Sequence, residues 1–175
     1  YQGIDWMPEF GEGWSDNGTL SWWDGKPGDS LTLSLPLEKA VACKFFAQFT
    51  RQSGGAIVQM YLNDEKLGDP IDLYAPYVYP TGMLEMGVAN LKKEDNRLTL
   101  KIVGRNEKAT HSHKVCLDYI RPVASKAVGS KKATKTVIEG EALTVLEKTG
   151  GTKYLQEMGC GEGWSEESQL HWIDA

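Results

Sequence analysis

The sequence has few cysteines, three among 175 residues, and no Cys-x-x-Cys pair. That spacing excludes a structural zinc site. No apolar run is long enough to cross a bilayer as a helix, so no membrane partner is expected. No basic face is obvious either, and the run Lys126, Lys131, Lys132 and Lys135 reads as a solubilising face. Lys and Arg number 19 against 24 Asp and Glu, for a net charge of −5. A nucleic-acid partner is therefore not expected, because phosphate binding needs a concentrated basic face. The chain lacks a nucleophile elbow, a phosphate loop and an HExxH motif. With no catalytic constellation legible, an enzyme is the minority reading. No long segment has helical periodicity. Tyr1 opens directly in polar and aromatic sequence without a signal-peptide profile, so this end is expected to be a cut or processed edge.

What is present is a repeat. Gly11-Glu12-Gly13-Trp14-Ser15, followed by Leu20, Trp22 and Asp24, returns as Gly161-Glu162-Gly163-Trp164-Ser165, followed by Leu170, Trp172 and Asp174. Every pair is separated by the same offset (161 − 11 = 150; 174 − 24 = 150). Tryptophan is rare and the matching run is contiguous, so this is an internal repeat. Residues 1–122 are expected to form one module, 123–136 a linker, and 137–175 the start of a second copy. The linker reading rests on Ala, Ser, Lys and Gly with almost nothing to bury.

Between the repeated stretches, short runs alternate apolar and polar residues. Leu31, Leu33 and Leu35 do so, as do Val58, Met60 and Leu62, and Leu98, Leu100 and Ile102. Further strand-like runs lie at 40–51, 84–91, 114–122 and 136–143, with turns at 25–29, 52–55, 63–66 and 92–96. Residues 69–83 read as a long loop with three tyrosines. Many short strands spaced by turn residues predict an all-β sandwich. Cys43 and Cys116 lie in two of these strands, as buried thiols or a disulfide pair, the former being favoured.

The order of features resembles the galactose-binding-like β-jelly rolls of family 6 and related carbohydrate-binding modules on bacterial polysaccharide-degrading proteins. The residues that carry the likeness are Ile138 to Glu141, Pro27 to Asp29, Phe49-Thr50, the VQMYLN strand, Val103 to Asn106 and Leu117 to Ile120. The resemblance implies a non-catalytic accessory module, secreted, periplasmic or on the cell surface, with carbohydrate and neighbouring domains as partners. It requires no cofactor. Two alternatives stand beside it: a structural or oligomerisation module without a sugar ligand, and a fragment of a glycoside hydrolase. The first copy departs from the family pattern by lacking the opening Glu-x-Glu strand. Its loss would leave an open sheet edge. Residues 137–153 could fold back and fill it, as in a circular permutant.

Aromatic rings are the natural platform for the C–H face of a sugar. The candidates are Trp14, Trp22 and Trp23, with Tyr74, Tyr77 and Tyr79 on the long loop. Trp14 and Trp22 recur in the second copy, which suits framework packing, and that reading is favoured for them. Trp23 becomes Ile173. Asn106 matches in position a polar ligand contact of the resembling family, although a loop Asn also serves as a turn residue. The likeness further implies a structural calcium held by Glu139, Glu141 and Asp118, which would need the permuted closure. Their alternative role is as exposed edge carboxylates. His111 and His113 lack a third metal ligand and read as a solvated loop. Asn17-Gly18-Thr19 is a glycosylation sequon, relevant only in a eukaryotic secretory context.

Overall fold

The structure is a computed structural model that describes residues 2–7, 10–36, 41–124, 137–149, 152–157 and 168–173. The strands, in chain order, are β1 (Gln2–Trp6), β2 (Gly18–Trp22), β3 (Ser30–Leu35), β4 (Val41–Arg51), β5 (Ala56–Leu62), β6 (Glu65–Asp72) and β7 (Tyr79–Pro80). They continue with β8 (Leu84–Leu91), β9 (Asn96–Arg105), β10 (Val115–Ala124), β11 (Ile138–Glu139), β12 (Thr144–Lys148), β13 (Thr152–Glu157) and β14 (Ser168–Ile173). No α-helix forms among the described residues.

Two antiparallel sheets face one another. The first runs β1-β2-β10-β4-β7, with β11 also on β10 and β8 also on β4; the second runs β12-β3-β9-β5-β6. The alternating residues meet between them. Leu20, Trp22, Phe45, Phe49, Leu117 and Ile120 come from the first sheet, and Leu31, Leu33, Val58, Met60, Leu98 and Ile102 from the second. This is the expected all-β sandwich. β13 and β14 pair only with each other. They occupy the repeat positions of β1 and β2, with the pairing shifted by one residue: Gln2 opposes Trp22, whereas Thr152 opposes Ile173.

Several elements differ from the sequence expectation, β1 and β12 among them. β2 was not legible, because Gly18 to Trp22 is buried on both faces and shows no alternation. β6 occupies the start of the expected loop and includes Pro70. It is the outermost strand of its sheet, where a proline's missing N–H does no harm. The two-residue turn before it sets its register: Asn63 and Asp64 have φ of 49° and 70°, the left-handed geometry of a tight hairpin. The stretch 136–143 is not one strand. Among its described residues, 137–143, Ile138–Glu139 is the strand, and Gly140–Ala142 then makes a 3-10 turn.

Residues 137–149 occupy the edges of both sheets. Ile138 and Glu139 pair with Ile120 and Tyr119 of β10. After the turn, β12 pairs with β3 from Thr144 opposite Ser34 to Lys148 opposite Leu31. Leu143 drops into the core, and Ile138 and Val145 pack against it. Of the expected linker 123–136, Val123 and Ala124 continue β10, while 125–136 lie outside the described residues.

Cys43 faces the core and Cys116 the opposite face of the first sheet, where Ser21 Oγ and Gln52 Nε2 lie 3.3 and 3.0 Å from its sulfur. Both are free thiols, so the disulfide alternative fails on geometry. Cys160 lies outside the described residues.

Leu143→Ala is expected to cost about 2–5 kcal/mol, because it empties a core position. Leu146→Ala, three residues on and 49% exposed, should stay within about 0.5 kcal/mol. Urea unfolding of the two variants checks whether 137–149 is part of the cooperative unit.

Candidate functional site

The repeated stretch lies across the outer face of the first sheet and covers a row of polar side chains. Thr19, Ser21, Gln48, Thr50 and Asp118 are all buried there. Trp14 donates its indole N–H to Thr50 Oγ1 at 2.8 Å. Gln48 Nε2 donates to Gly13 O at 2.8 Å and also to Asp118. The Ser15 backbone N–H reaches Asp118 Oδ1 at 3.0 Å, and its hydroxyl reaches Glu139 Oε1 at 2.9 Å. Gly11 and Gly13 have φ of 110° and 115°, a region that side chains with a Cβ rarely enter. The spacing Gly-x-Gly-Trp-Ser thus follows from backbone geometry and three side-chain anchors, and Glu12 is left exposed.

Trp14 and Trp22 are packed into the framework. Trp22 is 1% exposed, and its ring packs beside the Gly25 Cα. Trp14 is buried and hydrogen-bonded.

Asp118 and Glu139 are brought together by Ser15. Asp118 sits at an irregularity of β10, between Leu117, which opposes Leu20 of β2, and Tyr119, which opposes Glu139 of β11. Burial, and then the Asp118 carboxylate, push the Tyr119 phenol above its usual range. Glu139 Oε2 is buried and has no hydrogen-bond partner among the described residues. Two carboxylates and an orphaned oxygen suit a hard cation. No group of three or more metal-ligating His, Cys, Asp or Glu side chains forms among the described residues. The Glu141 side chain lies outside them.

The other candidates gather at one end of the sandwich, where four connections emerge: 23–29, 52–55, 73–78 and 106–114. Gln52 N donates to Leu73 O and Ala75 N to Gln52 O, both at 3.0 Å. Thr110 N reaches Ser53 O at 2.9 Å, and Lys114 N reaches Gly54 O at 2.8 Å. Gly55 has no room for a side chain, since a Cβ there would overlap the Leu73 carbonyl. Asp72 ties two of these connections together. One carboxylate oxygen accepts from the Tyr74 backbone N–H at 2.9 Å, and the other from Asn106 Nδ2 at 2.6 Å.

Tyr74 bridges to Gln52 and Tyr79 opposes Arg51, so both flank the end of β4. Tyr77 is 77% exposed and Tyr79 42%. Arg51 Nε is buried without a partner among the described residues. Trp23 is half-buried, and the Lys114 ammonium stands over its ring at 4.1 Å, a cation–π contact that occupies one face. Asp72, Arg51 and Lys114 were missed in the sequence. Asp72 alone carried a signal, as an Asx-turn residue two positions before Tyr74. His111 and His113 flank this end. His111 Nδ1 lies 3.4 Å from an Arg105 nitrogen, and burial, then the Arg105 charge, lower His113.

No known family profile matches this chain, and no curated protein sequence matches it either. Part of a xanthan lyase from Paenibacillus, solved at 2.6 Å, shares the fold. The likeness has a TM-score of 0.59 at 16% identity and covers 71% of this chain but 12% of that one. That neighbour is a polysaccharide-degrading protein, and the similarity extends to the arrangement of strands.

Gln48→Leu, which removes donors to Gly13 O and to the Asp118 carboxylate, should cost about 2–3 kcal/mol in urea unfolding. Glu12→Ala, in the same motif but exposed, should stay within about 0.5 kcal/mol. His113 gives a pH signature. Its folded value is below the ordinary 6.5, so the unfolded chain takes up the proton first. The neutral ring's contribution is present above pH 6.5 and is lost as pH falls through 6.5 toward the lowered folded value. His113→Gln should flatten the stability-versus-pH curve in that window.

Proposed function

We propose that this chain is a non-catalytic accessory module of a polysaccharide-active protein, and that it binds carbohydrate at the loop end of the sandwich. The observation that carries the reading is the grouping of Tyr74, Tyr79 and the Asp72–Asn106 pair around the end of β4, beside Arg51 with its unused N–H. Aromatic surface supplies stacking, and the polar groups supply hydrogen bonds to hydroxyls. Tyr77 offers a further exposed ring on the same connection. Trp23, half-buried beneath the Lys114 ammonium, is a further candidate contact. The fold it shares with part of a xanthan lyase is consistent with such a setting.

Residues 2–149 are proposed as the closed unit, with 137–149 closing the module and the second copy opening after it. Within that closure Asp118 and Glu139 would hold a structural calcium ion, with Glu141 as a further ligand. The ion would supply positive charge between the two carboxylates and pin β11 to β10.

A structural packing module without a sugar ligand is the second reading. The burial of Trp14 and Trp22 and the Lys114 cover on Trp23 favour it. Affinity electrophoresis through a panel of plant, algal and microbial polysaccharides separates the two. Retardation on at least one glycan that Tyr77→Ala and Asn106→Ala each reduce several-fold, with unchanged melting temperatures, supports binding. Absence of retardation on every glycan leaves the packing module. For the metal, calcium should raise the melting temperature and chelator reverse it, and Glu139→Gln should remove the response. Identical melting curves in calcium and chelator would exclude the site.

A further inference from the structure

By sequence, residues 137–149 precede the second copy of the Gly-Glu-Gly-Trp-Ser stretch and run straight into β13, the counterpart of β1. By contact, they belong to the first copy. They touch its two sheets in succession, through β11 on β10 and β12 on β3.

The fit is specific along its length. Gly140 lies so close to the Leu117 carbonyl that a Cβ there would overlap it. Leu143 fills a core position. Glu139 accepts the Ser15 hydroxyl at 2.9 Å. At the far end, Thr149 N donates to Ser30 O at 3.1 Å, and Ser30 N donates to Thr149 Oγ1 at 2.9 Å. Arg97 pairs with Glu147 at 3.3 Å.

We propose that residues 137–149 form an exchangeable closing strap, and that the two sheet edges it fills accept the same segment from a second copy of this chain. An edge strand held by ladder hydrogen bonds and one buried leucine is recognised by its local fit, whichever chain delivers it. The covalent connection through 125–136 raises its local concentration. Consecutive or neighbouring copies can therefore trade straps, as in domain swapping. This inference is independent of the carbohydrate reading.

The test uses the full chain with a specific protease site inserted after Gly129, cleaved under native conditions. The C-terminal fragment is expected to co-elute with the module in size-exclusion chromatography. A fluorescent peptide of residues 137–149, added in excess, should then displace it and bind at one per module. The same peptide with Leu143→Ala should compete roughly tenfold less well or worse. Release of the fragment on cleavage, with or without unfolding of the remainder, would overturn the proposal. So would retention that no excess of peptide displaces, or equal competition by the two peptides.

Discussion

The Asp118 carboxylate is the point on which the rest of the molecule depends. It is fully buried at the one place in β10 where the neighbouring strand changes from β2 to β11. A buried carboxylate without donors is strongly unfavourable, so its surroundings must supply them. Ser15 gives its backbone N–H and Gln48 its amide. Satisfying Asp118 therefore places Gly13 to Ser15 over the outer face, which in turn seats Trp14 on Thr50. The irregularity of β10 that turns Asp118 outward also opens room for Gly140 beside Leu117. Motif, sheet irregularity and closing strap form one arrangement.

That arrangement divides the molecule. The outer face of the first sheet is committed to internal bonds, with Trp14 buried and hydrogen-bonded there, while Trp22 lies in the core. The loop end is organised differently. Its backbone is fixed by hydrogen bonds among 52–55, 73–75 and 110–114, while side chains such as Tyr77 remain outside them. A rigid frame with free aromatic and polar groups suits recognition, because little order is lost on contact.

Much of the fold was legible because half-buried strands alternate. β3, β5 and β9 announced themselves through Leu31, Val58, Leu98 and their partners. β2 did not, since both of its faces are buried and the alternation disappears. β6 hid behind Pro70, which is harmless only at an edge, and edge position is a tertiary fact. The stretch 136–143 has strand composition, but Gly140 must turn to clear the Leu117 carbonyl. For the site, the aromatic candidates were readable by residue type, whereas their exposure was not. Trp14, Trp22 and Tyr77 look alike in sequence, and only packing separates the first two from the third. The Asp118–Glu139 grouping was anticipated through family likeness. Ser15, which joins the two carboxylates, carried no chemical signal apart from its place in the repeat.

Native-state hydrogen exchange at the Ser15 amide reads whether Asp118 anchors the repeated stretch. If its bond to the buried Asp118 carboxylate holds the repeated stretch onto the sheet, this amide should exchange only through global unfolding, at the free energy of the slowest β10 amides. Exchange as fast as an exposed loop amide, such as that of Glu12, would show that this bond does not hold the stretch in place.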